Sequence, residues 1–217
     1  MKSIDSNAHA KEQLHKIKYQ KEVVPTVEYK NILGIDYGGK TTGNCALAYI
    51  ENGRIVSVQI PKTKNPDLEI KKFIQERKIE LVFIDAPLSL PIAYMNPKLG
   101  NNFHYRQADI ETKAMSPMFL GGFTARAIEL KSNLEPIIVK ETYPKQFLKL
   151  FDLNYTEATA KETLKTAVTK TEFNFSIKTN ISIKHQFDAI LALCSALRYV
   201  NGLCTTYGNE REGLIYI

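Results

Sequence analysis

The stretch Ile32-Leu33-Gly34-Ile35-Asp36-Tyr37-Gly38-Gly39-Lys40 decides how this chain is read. Four apolar residues stopped by an acid and paired glycines describe a short buried strand that ends at Asp36 in a tight turn. Downstream, the runs from Asn44 to Ile50 and from Arg54 to Ile60 flank Glu51-Asn52-Gly53. Asn-Gly between apolar runs marks a hairpin, because a type I′ turn needs positive φ at both central positions. Pro66 to Arg77 predicts an amphipathic helix with Leu68, Ile70, Phe73 and Ile74 available for one face, and Leu81-Val82-Phe83-Ile84 a fourth strand closed by Asp85-Ala86-Pro87.

From Leu88 to Ser116 the pattern dissolves into a loop rich in Pro, Asn and Gly, with a helical piece around Tyr105 to Lys113. A loop of that length in a compact domain is either functional or poorly ordered. Helix signals return from Phe119 to Lys131. Pro136 to Val139 reads as a fifth strand ending at Glu141-Thr142-Tyr143-Pro144, with helical stretches from Lys145 and from Thr156 to Thr169. The last helix, Ile183 to Val200, carries Ile183, Phe187, Ile190, Leu191, Cys194 and Leu197 at core spacing. The terminal Gly213 to Ile217 reads as a short edge strand or a packed tail. Met1 to Lys30 is polar, with a helical tendency from Ala10 to Lys21 stopped by Pro25, and reads as an arm preceding a domain of residues 31–217.

Hairpins imply antiparallel pairing, and helical crossovers imply parallel strands joined right-handedly. The economical outcome is an α/β domain: one mixed five-stranded sheet of order 3-2-1-4-5 with helices on both faces, the RNase H-like layout.

The 217 residues, 44% hydrophobic and 24% charged, suit one folded domain without a disulfide or structural metal. Three cysteines, Cys45, Cys194 and Cys204, and four scattered histidines form neither a disulfide framework nor a zinc pattern. No run has the length of a signal peptide or a membrane span, so a cytoplasmic protein without membrane contact is expected. Lys plus Arg is 29 against 23 Asp plus Glu, a net charge of +6. Six lysines and four acids in the arm account for +2 of this, leaving +4 on the domain. A basic surface favours polyanionic partners, though charge alone also fits a merely soluble protein.

Four carboxylates occupy informative places. Asp36 ends the first strand, Asp85 the fourth and Glu141 the fifth, while Asp188 lies early in the last helix. The carboxyl ends of parallel strands form the rim where ligands bind in open α/β sheets. Like charges gathered there raise one another's pKa unless a cation sits among them, and Mg²⁺ or Mn²⁺ suits an all-oxygen donor set. Taken singly each acid has a plainer reading: Asp36 and Asp85 as turn formers, Glu141 as a surface ion pair, Asp188 as a favourable charge near a helix N-terminus. His185 shares a helical face with Asp188 and is a candidate proton carrier, or simply a structural histidine. Lys40, Arg106 and Arg126 are candidates for contacting phosphate, or ordinary surface cations.

Gly34-Ile35-Asp36-Tyr37-Gly38 and Ile84-Asp85-Ala86-Pro87 resemble the opening motifs of a predicted RNase H-like nuclease family, domain of unknown function family 429. The resemblance continues through Tyr105-Arg106-Gln107-Ala108-Asp109, Ser116-Pro117-Met118-Phe119-Leu120-Gly121-Gly122 and Glu141-Thr142-Tyr143-Pro144. It closes with His185-Gln186-Phe187-Asp188-Ala189 and Arg211-Glu212-Gly213-Leu214-Ile215, covering about residues 31–217. The final helix is also similar to that of Holliday-junction resolvases of the same fold, although those often place an acid where His185 stands.

The resemblance implies metal-dependent hydrolysis of phosphodiesters in nucleic acid, DNA or RNA, and is compatible with a homodimer. Asp36, Asp85 and Asp188 would hold two Mg²⁺ or Mn²⁺ ions roughly 3.5–4 Å apart, with Glu141 or His185 positioning or deprotonating the attacking water. Two other readings stand beside it. One is a nucleic-acid-binding or adaptor protein that keeps the scaffold without catalysis. The other is a phosphotransferase of the actin or sugar-kinase type, which needs two lobes that an unrepeated chain of this length does not supply.

Overall fold

The computed structural model describes residues 26–178 and 183–217. The helical stretch expected from Ala10 to Lys21 lies outside them. Order begins earlier than residue 31: Val27 packs against the core, and Tyr29, in a 3₁₀ turn over Tyr29–Asn31, has its ring centroid 5.7 Å from Phe173 and 5.3 Å from Phe175.

The chain enters β1 (Ile32–Asp36) and returns through the hairpin β2 (Ala46–Glu51) and β3 (Arg54–Gln59). Asn52 and Gly53 take φ of 50° and 70°, the paired positive values that the Asn-Gly signal requires. Helix α1 (Pro66–Arg77) follows, capped by the Asn65 side chain accepting from the Asp67 amide at 3.0 Å, with Pro66 at its first position. Its buried face is Pro66, Ile70 and Ile74; Leu68, expected inside, is 62% exposed, because it follows Pro66 by two residues and so turns to the opposite side.

Next come β4 (Leu81–Asp85) and four short or medium helices: α2 (Ile92–Met95), α3 (Gln107–Thr112), α4 (Pro117–Leu120) and α5 (Gly122–Ser132). After β5 (Ile138–Glu141) the chain forms α6 (Pro144–Leu150), α7 (Ala160–Thr169) and the two-residue β6 (Ser176–Ile177). The long α8 (Lys184–Val200) leads into the hairpin β7 (Thr206–Asn209) and β8 (Gly213–Tyr216).

The architecture is α/β with one mixed sheet of eight strands, not five, in the order β6-β3-β2-β1-β4-β5-β8-β7. The three additions are the strands hardest to see in sequence. β6 is two residues long, β7 is the polar Thr-Tyr-Gly-Asn, and β8 is covered by β7 instead of forming an edge. Among the described residues no helix is long and apolar enough to cross a membrane.

Strand alternation divides the core in two. Ile32, Ala46, Ala48, Ile50, Leu81 and Phe83 face a layer that includes α6, α7 and α8, while Leu33, Ile35, Leu47, Tyr49, Val82 and Ile84 face α1 and α5. Helix α8 is buried nearly all round, as a central helix must be, and each large side chain it removes from water stabilises the fold by about 1.5–3 kcal/mol.

Gly34 sets how closely α8 approaches. A Cβ there would run into the backbone of Leu193 and the carbonyl of Ala189, neither of which can swing aside. Gly34→Ala is therefore expected to destabilise the fold by at least the ~1–3 kcal/mol of an overpacked core, read as a lowered urea midpoint at unchanged slope. An unchanged midpoint would mean that α8 does not rest on β1 at this point.

Candidate functional site

β1 and β4 pair in parallel with Asp36 directly opposite Asp85. Both acids continue the alternation of Ile32 and Leu81, so both project to the α8 side of the sheet at the carboxyl ends of their strands. The same glycine contact brings the third acid in. With α8 running antiparallel to β1 over Gly34, two strand residues onward reach Asp36, ~6.6 Å away, and four helix residues back from Ala189 reach His185, ~6 Å away. His185 Nδ1 and Asp36 Oδ2 accordingly meet at 2.7 Å and share a hydrogen bond. Asp188, one turn further along the same helical face, joins the group.

The electrostatics are those of crowded carboxylates. Burial pushes Asp36 up to about 8 from an ordinary 3.8; Asp188 adds to the rise and Lys184 opposes it. Asp85 is held well above the usual carboxylate range, first by burial and then by Asp36, Asp188 and Glu141. Burial raises Asp188 to about 6, against the fields of Lys184 and His185. Among the described residues neither Asp85 nor Asp188 has a hydrogen-bond or salt-bridge partner.

The consequence for stability has a definite sign. A carboxyl whose folded pKa exceeds its unfolded value binds protons more tightly when folded, so stability is greatest below the unfolded pKa and falls as pH rises through the folded one. With Asp36 at about 8 against 3.8, the unfolding free energy in chelator should decline between about pH 4 and pH 8, with Asp188 contributing the portion up to about 6. Denaturant titrations across that range in wild type and Asp36→Asn check this. The variant should decline less, and parallel profiles would contradict the placement of Asp36 in the cluster.

The other expected site residues stand elsewhere. Glu141 pairs in register with Ile84, not Asp85, and Ile84 belongs to the opposite core. Its carboxylate is 6% exposed and fully occupied: Arg106 Nη1 and Nη2 donate to its two oxygens at 2.7 Å each, and the Leu88 amide donates at 2.8 Å. It is unsuited to activating water. Arg106, expected to contact phosphate, is completely buried; besides Glu141 it grips Asp109 through Nη2 at 2.6 Å and Nε at 3.1 Å, and Ser89 Oγ at 2.8 Å. This fork anchors the long 88–116 loop to β5.

Arg126 is likewise committed. Its Nε donates to Tyr37 Oη at 2.6 Å, its Nη2 to the Gly38 carbonyl at 2.5 Å, and it lies 3.2 Å from Asp67. It braces the turn that follows Asp36 and is a positioning residue for that turn. Lys40 stands exposed in the same turn, as a phosphate-contacting lysine would.

Lys184 was missed in the sequence. It is exposed at the start of α8, and its charge acts on all three aspartates. Its position directly before His185 was the available signal. A cleft of about 430 Å³ opens between β5 and β8, lined among others by Lys131, Lys140, Glu210 and Tyr216; the three aspartates are not among its walls.

The donor set fits a hard divalent cation in chemistry: three carboxylates, two of them without partners among the described residues, in mutual repulsion that a cation would relieve. Among the described residues no group of three or more His, Cys, Asp or Glu side chains is gathered into a ready-made cage. Mg²⁺ needs none, because it keeps several waters and takes only one or two carboxylates. In comparisons with known proteins, no family model matches the chain and no curated protein matches it significantly. The chemistry of the site is therefore read from its own residues.

Proposed function

We propose that the protein is a divalent-cation-dependent nuclease on an RNase H-like scaffold, hydrolysing phosphodiester bonds in nucleic acid. One observation carries the reading: Asp36 and Asp85, side by side at the ends of adjacent parallel strands, share their face with Asp188, and burial together with the neighbouring carboxylates raises the pKa of both. The consecutive β3-β2-β1-β4-β5 within the larger sheet, and the motif resemblance around these same residues, support the scaffold assignment.

Asp36, Asp85 and Asp188 would hold Mg²⁺ or Mn²⁺, which when bound supplies an activated water and stabilisation of the leaving oxygen. His185, engaged with Asp36 through Nδ1, keeps Nε2 to take or return a proton at the attacking water or the leaving group. Lys184 and Lys40 attract the phosphate backbone towards a site that would otherwise repel it. The test is a cleavage panel of single-stranded, duplex, hybrid and branched substrates with Mg²⁺ and Mn²⁺, run beside Asp36→Asn. Cation-dependent cleavage lost in the variant supports the proposal, and cleavage undiminished in the variant defeats it.

A second reading, a nucleic-acid-binding scaffold without catalysis, keeps the same sheet and the same basic surface. That reading predicts binding to the same panel with no cleavage under any cation.

A further inference from the structure

Seven of the eleven large apolar side chains that stand exposed among the described residues lie between positions 94 and 119. Four ring-bearing residues stand out there. Phe119, 67% exposed, stacks on His104 with an interplanar angle of 24° and a centroid separation of 6.0 Å, and Tyr94 and Phe103 form a second, edge-on pair at 5.6 Å. Leaving so much aromatic surface in water is unfavourable by roughly 25 cal/mol per Å², and apolar patches of this kind mark contact sites.

The surface is held in place from beneath. Arg106 and Asp109 are buried in the fork with Glu141, the Ser116 hydroxyl donates to the His104 carbonyl, and Asn102 Oδ1 accepts from the amides of His104 and Tyr105 at 2.9 Å each. The rings are thus displayed on a braced platform, which lowers the ordering cost of binding.

Position and charge indicate what covers it. The segment leaves the sheet directly after Asp85, on the rim that carries the three aspartates. At its far end Phe123, four residues beyond Phe119, packs against Tyr37, the neighbour of Asp36, at 5.3 Å. The surface charges of the segment are Lys98, Lys113 and Glu111. Glu111 is already engaged, accepting from the Gly208 amide and from Gln107, whereas the two lysines have no acidic partner among the described residues. Lys184 adds positive charge beside the aspartates, and Lys40 stands exposed in the turn that follows Asp36.

We infer that this aromatic platform binds single-stranded nucleic acid, stacking unpaired bases on Phe119–His104 and on Tyr94–Phe103 while the lysines follow the phosphates. Every base offers a π-face, so such a surface accepts any sequence. Duplex bases are already stacked on one another and have no face to offer. The inference rests on the nuclease proposal for its significance, since it names the substrate class of that site, but its test does not depend on cleavage.

The probe is a fluorescein-labelled single-stranded oligodeoxynucleotide, and the same strand annealed to its complement, titrated by anisotropy in EDTA. Wild type should bind the single strand more tightly than the duplex. Phe119→Ala should weaken single-strand binding by roughly 5- to 100-fold, the range for losing one base stack, and leave duplex binding unchanged. Phe103→Ala should act the same way through the second ring pair, and both side chains are exposed enough to be replaced without disturbing the core.

Equal affinity for the two forms, or unchanged single-strand affinity in both variants, overturns the inference. So does a change in oligomeric state on Phe119→Ala with unaltered nucleic-acid binding, which would make the patch a protein interface. Single-strand binding that depends on Phe119 in a protein that cleaves nothing would uphold the platform and defeat the nuclease proposal. Cleavage of duplex and single strand alike, unaffected by Phe119→Ala, would do the reverse.

Discussion

Replacing Arg106 with leucine is expected to lower the unfolding free energy by about 3–5 kcal/mol, the cost of breaking a buried ion pair from one side. That is a large share of the ~5–15 kcal/mol that holds a typical domain together. The guanidinium is fully buried between Glu141 and Asp109 and makes five side-chain hydrogen bonds to them and to Ser89. Its removal leaves two carboxylates desolvated, with only the Leu88 amide on Glu141 and the Arg106 amide on Asp109 as remaining partners. Lysine cannot substitute, because one ammonium cannot fork to two carboxylates at once. Urea unfolding of Arg106→Leu and Arg106→Lys checks this, and a midpoint close to wild type in either would contradict the fork as an anchor. The same cut should loosen the 88–116 loop and the aromatic platform above it, which proteolysis of the native state would register.

Asp36→Asn has the largest expected effect on activity: cation-dependent cleavage should fall to background while the fold survives. Asparagine keeps the shape of the side chain and a hydrogen-bonding atom for His185, yet removes the charge that a divalent cation needs. It also removes the penalty of ionising a carboxyl whose pKa burial has raised to about 8. The variant should therefore be at least as stable as wild type above neutral pH while being inactive. Loss of activity accompanied by loss of stability would instead point to a structural role. His185→Gln gives the complementary reading, because it leaves the three carboxylates in place and should weaken cleavage without abolishing cation binding.

Much of this was legible in the sequence, for physical reasons. The Asn52-Gly53 turn, Pro66 at a helix start and the apolar runs ending in Asp36 and Asp85 are local signals, and the structure follows each of them. The two aspartates could be paired from sequence because each ends a buried strand, and strands joined by a helical crossover lie parallel.

Glu141 misled for a matching reason. It too ends a strand, but its register with Ile84 shifts it by one residue and sends its carboxylate to the other face. Register across separate strands is a tertiary property that no local pattern encodes. Arg106 lies in the irregular stretch just before α3 and reads as a surface cation, because its burial depends on Glu141, far away in sequence, as well as on Asp109. The strands β6 and β7 stayed hidden because two residues and a Thr-Tyr-Gly-Asn tetrapeptide have no period to detect. Lys184 offered only its place directly before His185, and its field on Asp36, Asp85 and Asp188 emerges from the fold.

The central claim is that these three aspartates form a site for a hard divalent cation. The most direct measurement is calorimetric titration of wild type and Asp36→Asn with Mn²⁺ at neutral pH, in two buffers of different ionisation heat. Asp36, at about 8, holds its proton in the cation-free protein at pH 7 and must release it when the cation enters. Wild type should bind Mn²⁺ with a heat that differs between the buffers by the protons released, and Asp36→Asn should bind far more weakly. No binding by wild type, or equal binding by both proteins, would contradict the account.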